Sequence, residues 1–417
     1  MPISDERTAR VAGMVAEQNA HAALLTGYDS IAYAAGLRVS QELGAPFVAG
    51  GPDALVVSPA GEMWLLVPRM RGSSARESRA DHVIEYGTDS LIDVPLWQHY
   101  REGLGRLLDA AGLRAGTLLV EPDTLSATAA ELIALRDLER LDATAALQQV
   151  RKTKTAVELE VIRRGAALTS TAQRRAAEAV RPGRTELECF AEVRAVWDDA
   201  IGGRCEVTGD FISGIDRTAG VVGWASDRVI REGDPVIVDL APRMDLYWGD
   251  SANTLFVGEP GAEFLRMHRA VSSALQAGVD ATRPGLSVGE LDRIVRSTVE
   301  RAGYTYPHHT GHSVGTASHE FPSIVPGAGE PLEPDMVILL EPGAYVPGIG
   351  GVRLEWMLAV TGTGAEVLSA FPLDPTLGLH HGAHDVGQAV LQPRGRRPPS
   401  ASVEAGAVRV GRDISPE

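Results

Sequence analysis

The chain has 417 residues, a formal charge of −16, an ordinary apolar fraction of 44% and few aromatics. That length exceeds one typical core and predicts two domains. The negative charge argues against nucleic acid or an anionic membrane as a main partner, and two cysteines, Cys189 and Cys205, exclude a disulfide framework and fit a reducing compartment.

The opening MPISDERTAR is charged and lacks the apolar stretch of a secretory signal, and no apolar run approaches a membrane span. A cytoplasmic protein is expected. His21–Gly36 reads as a short buried strand followed by a turn, and Ala54–Pro68 as a hairpin turning at Pro59-Ala60-Gly61. Thr117–Pro122 reads as another strand, and Leu125–Leu138 has helical periodicity. Residues 1–147 are therefore expected to form a small α/β domain without chemistry of its own.

Arg151–Val180 reads as one long helix ended by Arg181-Pro182-Gly183. Thr185 with Glu188, and Ser287 with Glu290, predict two further helix starts, the second helix stopping near Gly303. Strand patterns lie between them, so residues 148–378 are expected to form a second mixed α/β domain. From about Leu379 the period fails, and 379–417 reads as a flexible tail. The histidines His380, His381 and His384 fall in it.

Four carboxylates and one imidazole stand out in the second domain. Asp239 ends the apolar run Val236–Val238, and Asp250 follows eleven residues later. A turn around Pro242–Asp245 would bring the two together. Glu341 ends the run Val337–Leu340, and Glu355 lies in the strand pattern Val352–Trp356, where an Arg353–Glu355 ion pair is the alternative use. Ionised carboxylates at buried strands are costly unless a cation or donors compensate them. His308, His309, His312 and His319 cluster within a dozen residues, out of eleven histidines in the chain. Gly311 and Gly315 allow close backbone approach beside them, and His309 reads as the one most easily explained by packing. Oxygen-rich sets with one imidazole suit paired divalent ions, so a metal-dependent enzyme is expected.

These segments resemble the pita-bread metallopeptidase superfamily, which includes Xaa-Pro aminopeptidase, prolidase, methionine aminopeptidase and creatinase. The likeness runs from about Arg151 to Ala370 and rests on the Asp239–Asp250 spacing, Gly311-His312, Glu341-Pro342-Gly343 and Arg353-Leu354-Glu355. The preceding region resembles the creatinase-type N-terminal domain. The resemblance implies two divalent ions bound by Asp239, Asp250, His312, Glu341 and Glu355, with Mn2+ the leading candidate and Co2+, Fe2+ or Zn2+ compatible. It implies a bridging water that supplies hydroxide, with Glu341 as general base. It also implies that His319 contacts the substrate carbonyl, that His308 lines the pocket and that Arg353 stands beside the site. A small peptide or small amide substrate and a homodimer are further implications.

Three positions depart from that pattern. Val222 stands where Xaa-Pro peptidases usually carry a histidine, Ala241 where a glycine is usual and Asn253 where an arginine is frequent. The leading expectation is an Xaa-Pro peptidase-like hydrolase of amide C–N bonds. The alternatives are the same fold acting on a small non-peptide metabolite, as a creatinase-like or ectoine-hydrolase-like hydrolase or a lyase, and a non-catalytic binding scaffold.

Overall fold

In the computed structural model, residues 5–38, 51–87, 96–369 and 371–376 are described. Among them the N-terminal part is organised by one six-stranded sheet. Its strands are β1 (Ala22–Leu25), β2 (Ala54–Val57), β3 (Met63–Pro68), β4 (His82–Tyr86), β5 (Ala115–Val120) and β6 (Asp137–Asp142), in the order β4-β3-β2-β1-β5-β6. Strands β1, β2 and β3 are buried at every position because both faces are covered. Leu25, Leu55, Leu65 and Leu119 face α1 (Glu6–Glu17). Leu24, Val56, Leu66 and Leu118 face α4 (Leu96–Ala110), which follows the short α3 (Gly72–Arg76).

The expected hairpin over Ala54–Pro68 is present as the antiparallel pair β2–β3. The segment after β1 is not a turn but a helix, α2 (Tyr28–Ala35). Its first turn is closed from far away in the chain, because the Glu121 carboxylate accepts from the Thr26 and Gly27 amides and from the Ser30 hydroxyl. The helical pattern over Leu125–Leu138 yields only α5 (Ala127–Ala134), since Asp137 already pairs in β6.

The long helix is interrupted. It forms as α6 (Thr144–Lys152) and α7 (Ala156–Ala179), with Thr155 and Glu158 making a reciprocal capping box. The interruption is fixed from outside, the Lys154 amide donating to the Asp335 carbonyl at 2.8 Å. The junction expected at 147/148 falls within α6.

Beyond it, two helix pairs each back a sheet. Helices α7 and α8 (Glu186–Ile201) cover a sheet of β7 (Glu206–Ser213), β8 (Pro235–Met244) and β10 (Ala252–Phe256), with β9 (Tyr247–Trp248) on β8 and the short α9 (Ile215–Ala219) after β7. Helices α10 (Ala262–Ala281) and α11 (Val288–Arg301) cover a sheet ordered β12 (Glu320–Ile324), β11 (Gly311–Ser313), β13 (Val337–Leu340), β16 (Trp356–Val360) and β17 (Ala365–Val367). The ribbon β14 (Gly343–Val346) and β15 (Gly350–Arg353) joins them. The capping box expected at Thr185 is complete with Glu188, while at Ser287 the hydroxyl accepts from the Glu290 amide without the reciprocal bond. The expected tail 379–417, with His380, His381 and His384, lies outside the described residues. No described helix is long and apolar enough to cross a membrane.

Candidate metal centre

Strand β8 does not stop at Asp239. It runs on to Met244, with Pro242 inside it, and the chain reverses at Asp245 and Leu246 with φ of 47° and 78°. Strand β10 then returns antiparallel with Ala252 opposite Asp239, which leaves Asp250 at the strand entrance beside it. The register is pinned from α7, where the Gln173 amide donates to the Val238 and Ser251 carbonyls at 3.1 and 2.9 Å. Glu355 lies in no strand but between β15 and β16, and its amide donates to the Ala252 carbonyl at 2.8 Å. Glu341 follows β13, and His312 is central in β11. A Cβ at Gly311 would collide with the Leu339 carbonyl, so only glycine lets β11 lie this close to β13.

The histidine segment is held from α11. Thr310 donates to Asp292 Oδ1 at 2.5 Å, Arg296 Nη2 donates to the His308 carbonyl at 3.0 Å, and the Glu341 amide donates to the Thr310 carbonyl at 2.8 Å.

Short distances join four of the five expected ligands, and Asp239 stands beside them through its register with Ala252 and its electrostatic coupling to Glu341 and Asp250. Asp250, His312 and Glu355 are buried and offer ligand atoms within 4.8 Å of one another. Glu341 Oε1 lies 3.6 Å from His312 Nε2. His312 Nδ1 is bonded to the Ser313 carbonyl at 2.9 Å, which leaves Nε2 facing the acids. Burial pushes Asp239 up to about 6, and the Glu341 and Asp210 charges add to it against the opposing Arg353. Burial, then the neighbouring carboxylates, likewise push Asp250 and Glu355 well above the usual range. Asp250 Oδ1 is buried without a hydrogen-bond partner. Crowded, desolvated carboxylates with an orphaned oxygen are the surroundings a divalent cation relieves. The residues present fit such an ion.

Arg353 does not pair with Glu355, the alternative its spacing allowed. Its Nε lies 2.6 Å from Asp239 Oδ2, its Nη2 2.5 Å from Asp210 Oδ2, and its Nη1 donates to the Val221 carbonyl at 3.0 Å. The backbone bends Arg353 towards β7 and β8, away from Glu355. His308 Nε2 sits 2.9 Å from the Tyr345 hydroxyl, and His319, exposed at the mouth, stacks on His312 with ring centroids 3.8 Å apart. Burial lowers His312 to about 4 and also lowers His308 and His319.

His309 is not merely packed. Its Nε2 lies 2.7 Å from Glu341 Oε1, yet the two atoms are not aligned and neither has a directed partner. Burial would raise Glu341, but His309 and then His312 and His308 hold it down to about 2. Asp210, Gln173, Asp292 and Tyr345 also support the centre. No local sequence signal marked them, because each reaches it from another element.

The region of the missing histidine supplies no replacement donor at Val222 itself, whose side chain is 69% exposed. Trp224 is 83% exposed, and Arg217 is committed to Glu186 and to the Trp224 carbonyl. Asn253 is buried and donates to the Pro372 carbonyl at 3.3 Å.

Comparison with known proteins bears on this geometry. The chain matches the family model of metallopeptidase family M24 over residues 160–362 and that of the creatinase/prolidase N-terminal domain over 7–153. It is 30% identical over 327 residues to a probable dipeptidase PepE of Mycobacterium tuberculosis, covering 76% of this chain and 84% of that protein. The chain belongs to metallopeptidase family M24. An Xaa-Pro dipeptidase of Pyrococcus furiosus is 33% identical over 225 residues, 54% of this M24 chain and 64% of that protein's length. Among solved structures, dipeptidase PepE from Mycobacterium ulcerans superposes with a TM-score of 0.73 at 27% identity, covering 89% of this chain and 96% of that one. A prolidase from Pyrococcus furiosus gives 0.72 at 27% identity, covering 87% and 99%. The fold is thus a creatinase-type N-terminal domain followed by the pita-bread domain of M24.

Proposed function

We propose that the chain hydrolyses the C–N bond of a small peptide, with Xaa-Pro dipeptides as the default substrate, at a centre of two divalent ions. The observation that carries this reading is the convergence of Asp250, His312 and Glu355 within 4.8 Å, with Glu341 3.6 Å from the same imidazole. Asp239, Asp250, His312, Glu341 and Glu355 would hold the ions. When bound, such ions polarise the scissile carbonyl and acidify water. An oxygen-rich set favours Mn2+, with Co2+, Fe2+ and Zn2+ compatible.

Glu341, held ionised, accepts the proton of the attacking water and passes it to the leaving nitrogen. His319, exposed at the mouth, donates to the oxygen on which charge develops. His308, fixed against the Tyr345 hydroxyl, lines the pocket. Arg353 touches no substrate; it orients Asp239 and anchors the Val221 carbonyl. The printed names of the PepE and Xaa-Pro dipeptidase relatives support the peptide class. By family likeness we also propose a cytoplasmic homodimer, for which sedimentation as a monomer would count against the dimer.

A second reading keeps the centre and changes the substrate to a small non-peptide amide. The exposed Val222 favours it, since no side-chain donor there meets the far side of a dipeptide. The test is turnover of Xaa-Pro dipeptides and of small amides by full-length protein stripped with chelator and reloaded with Mn2+ or Co2+. Metal-dependent dipeptide cleavage supports the first reading. Cleavage of non-peptide amides alone selects the second, and turnover that survives chelation overturns both.

A further inference from the structure

His319 reaches the mouth of the centre on a segment without regular structure, residues 315–319 between β11 and β12. Among the described residues its imidazole makes only one hydrogen-bond contact, with the neighbouring Ser318 hydroxyl at 3.4 Å. The ring stacks on His312. It also borders a cavity of about 240 Å3, shared with Asp29, Ser30, Glu121 and Arg151. With open space beside it, the ring is not fixed by packing alone, and its reach depends on what holds the turn.

That turn hangs from the junction of the two domains. Glu320 Oε1 accepts from the Ala317 amide at 3.1 Å and from Arg151, near the end of α6, while Oε2 accepts from Lys154 Nζ at 2.8 Å. A Cβ at Gly315 would collide with this carboxylate, which the two cations hold in place. Buried Thr316 carries the link across to the N-terminal domain. Its hydroxyl accepts from Arg151 Nη2 at 2.9 Å and donates to the Asp29 carbonyl of α2 at 2.9 Å. His312 is supported separately, within β11, where the Ser313 hydroxyl donates to the Val337 carbonyl at 2.8 Å.

We propose that Thr316, Arg151 and Glu320 are positioning residues for His319, so that the N-terminal domain, through the Asp29 carbonyl, sets where this imidazole meets the substrate carbonyl. The proposal rests on the role given to His319 in the proposed reaction. Displacing a group that must meet a developing charge by about 1 Å costs about 100-fold in rate. The metal ligands, held by other elements, keep their affinity when the turn shifts.

The experiment uses full-length, Mn2+-loaded protein and whichever of Xaa-Pro dipeptides and small amides the wild type cleaves. Thr316→Val should lower kcat about 10- to 100-fold with Mn2+ affinity unchanged. Thr316→Ser, which keeps the hydroxyl, should restore kcat. In a His319→Ala background the valine change should have no further effect, because residues acting through one group are not additive. Damage to the fold would instead add to the effect of His319→Ala, and thermal melts report it directly. An unchanged kcat in Thr316→Val, an equal fall in both backgrounds, or a serine variant as slow as the valine one would overturn the proposal. Full activity in His319→Ala would remove the role of His319 and the proposal with it. If wild type cleaves neither substrate class, the hydrolase reading fails by itself, and amide hydrogen exchange over residues 315–320 tests the anchor. Exchange should quicken in Thr316→Val and not in Thr316→Ser; equal exchange in all three proteins overturns the proposal.

Discussion

Arg353 Nε lies 2.6 Å from Asp239 Oδ2, and the same guanidinium reaches Asp210 and the Val221 carbonyl. One side chain thus ties β7, β8, β15 and the loop carrying Val222 around one candidate ligand.

A lysine cannot span those acceptors, since it offers one point charge where arginine offers a fork. Arg353→Lys should lower kcat/KM and Mn2+ affinity by about 10–100-fold, as for loss of groups that orient metal ligands. Arg353→Met should cost about 3–5 kcal/mol, because it strands buried carboxylates. Steady-state kinetics, calorimetry and urea unfolding check these values. An unchanged Mn2+ affinity in the lysine variant would remove Arg353 from the centre.

Burial and mutual repulsion destabilise the ion-free centre, since Asp250 and Glu355 are both pushed up. In chelator, Asp250→Asn should therefore be more stable than wild type by about 0.5–2 kcal/mol, a trade of function for stability. Excess Mn2+ should reverse the order, because only wild type gains binding energy on folding. Melting temperatures in both conditions decide it; a variant less stable in chelator would show that the acids are not in repulsion.

Glu320 is buried, which would raise it, but Arg151 and then Lys154 hold it down to about 2. Lys154 Nζ is 2.8 Å from Glu320 Oε2. A carboxylate depressed in the folded state stabilises above its ordinary value near 4.5 and loses that contribution as pH falls towards 2. Glu320→Gln should thus be less stable by about 3–5 kcal/mol at pH 7. Urea unfolding at a series of pH values should show the gap narrowing below pH 4.5. A gap independent of pH would assign the loss to packing instead.

Val222 is exposed on a loop whose backbone is fixed by Arg353 and Asp210. Val222→His should leave stability within about 0.5 kcal/mol, as for most surface changes. If the proposed peptide reading holds, it should raise kcat/KM on Xaa-Pro dipeptides by about tenfold, equivalent to about 1.4 kcal/mol. No gain on dipeptides, with wild type active on small amides, would favour the second reading.

The five candidate ligands were legible as residues because each breaks a local rule: an acid against an apolar run, or a histidine between glycines. The hairpin β2–β3, the Thr185 capping box and the Ser287 helix start were legible for a similar reason, their signals being complete within a few residues. Several features were not. Helix α2 depends on Glu121, some ninety residues away, to satisfy its first turn. The break between α6 and α7 is fixed by Asp335. The reversal after β8 falls at Asp245–Leu246, the far edge of the turn expected around Pro242–Asp245, because pairing with β7 carries the strand through the proline.

The sequence by itself determined the class of chemistry, since only a compensated site tolerates Asp239, Asp250, Glu341 and Glu355 among apolar strands. Tertiary structure alone decided the assignments between neighbours: Arg353 to Asp239 and Asp210 rather than to Glu355, and His309 to Glu341 rather than to the core. The physical reason is that side-chain type and spacing set what a residue can bond, while the direction it points depends on strands paired from elsewhere in the chain.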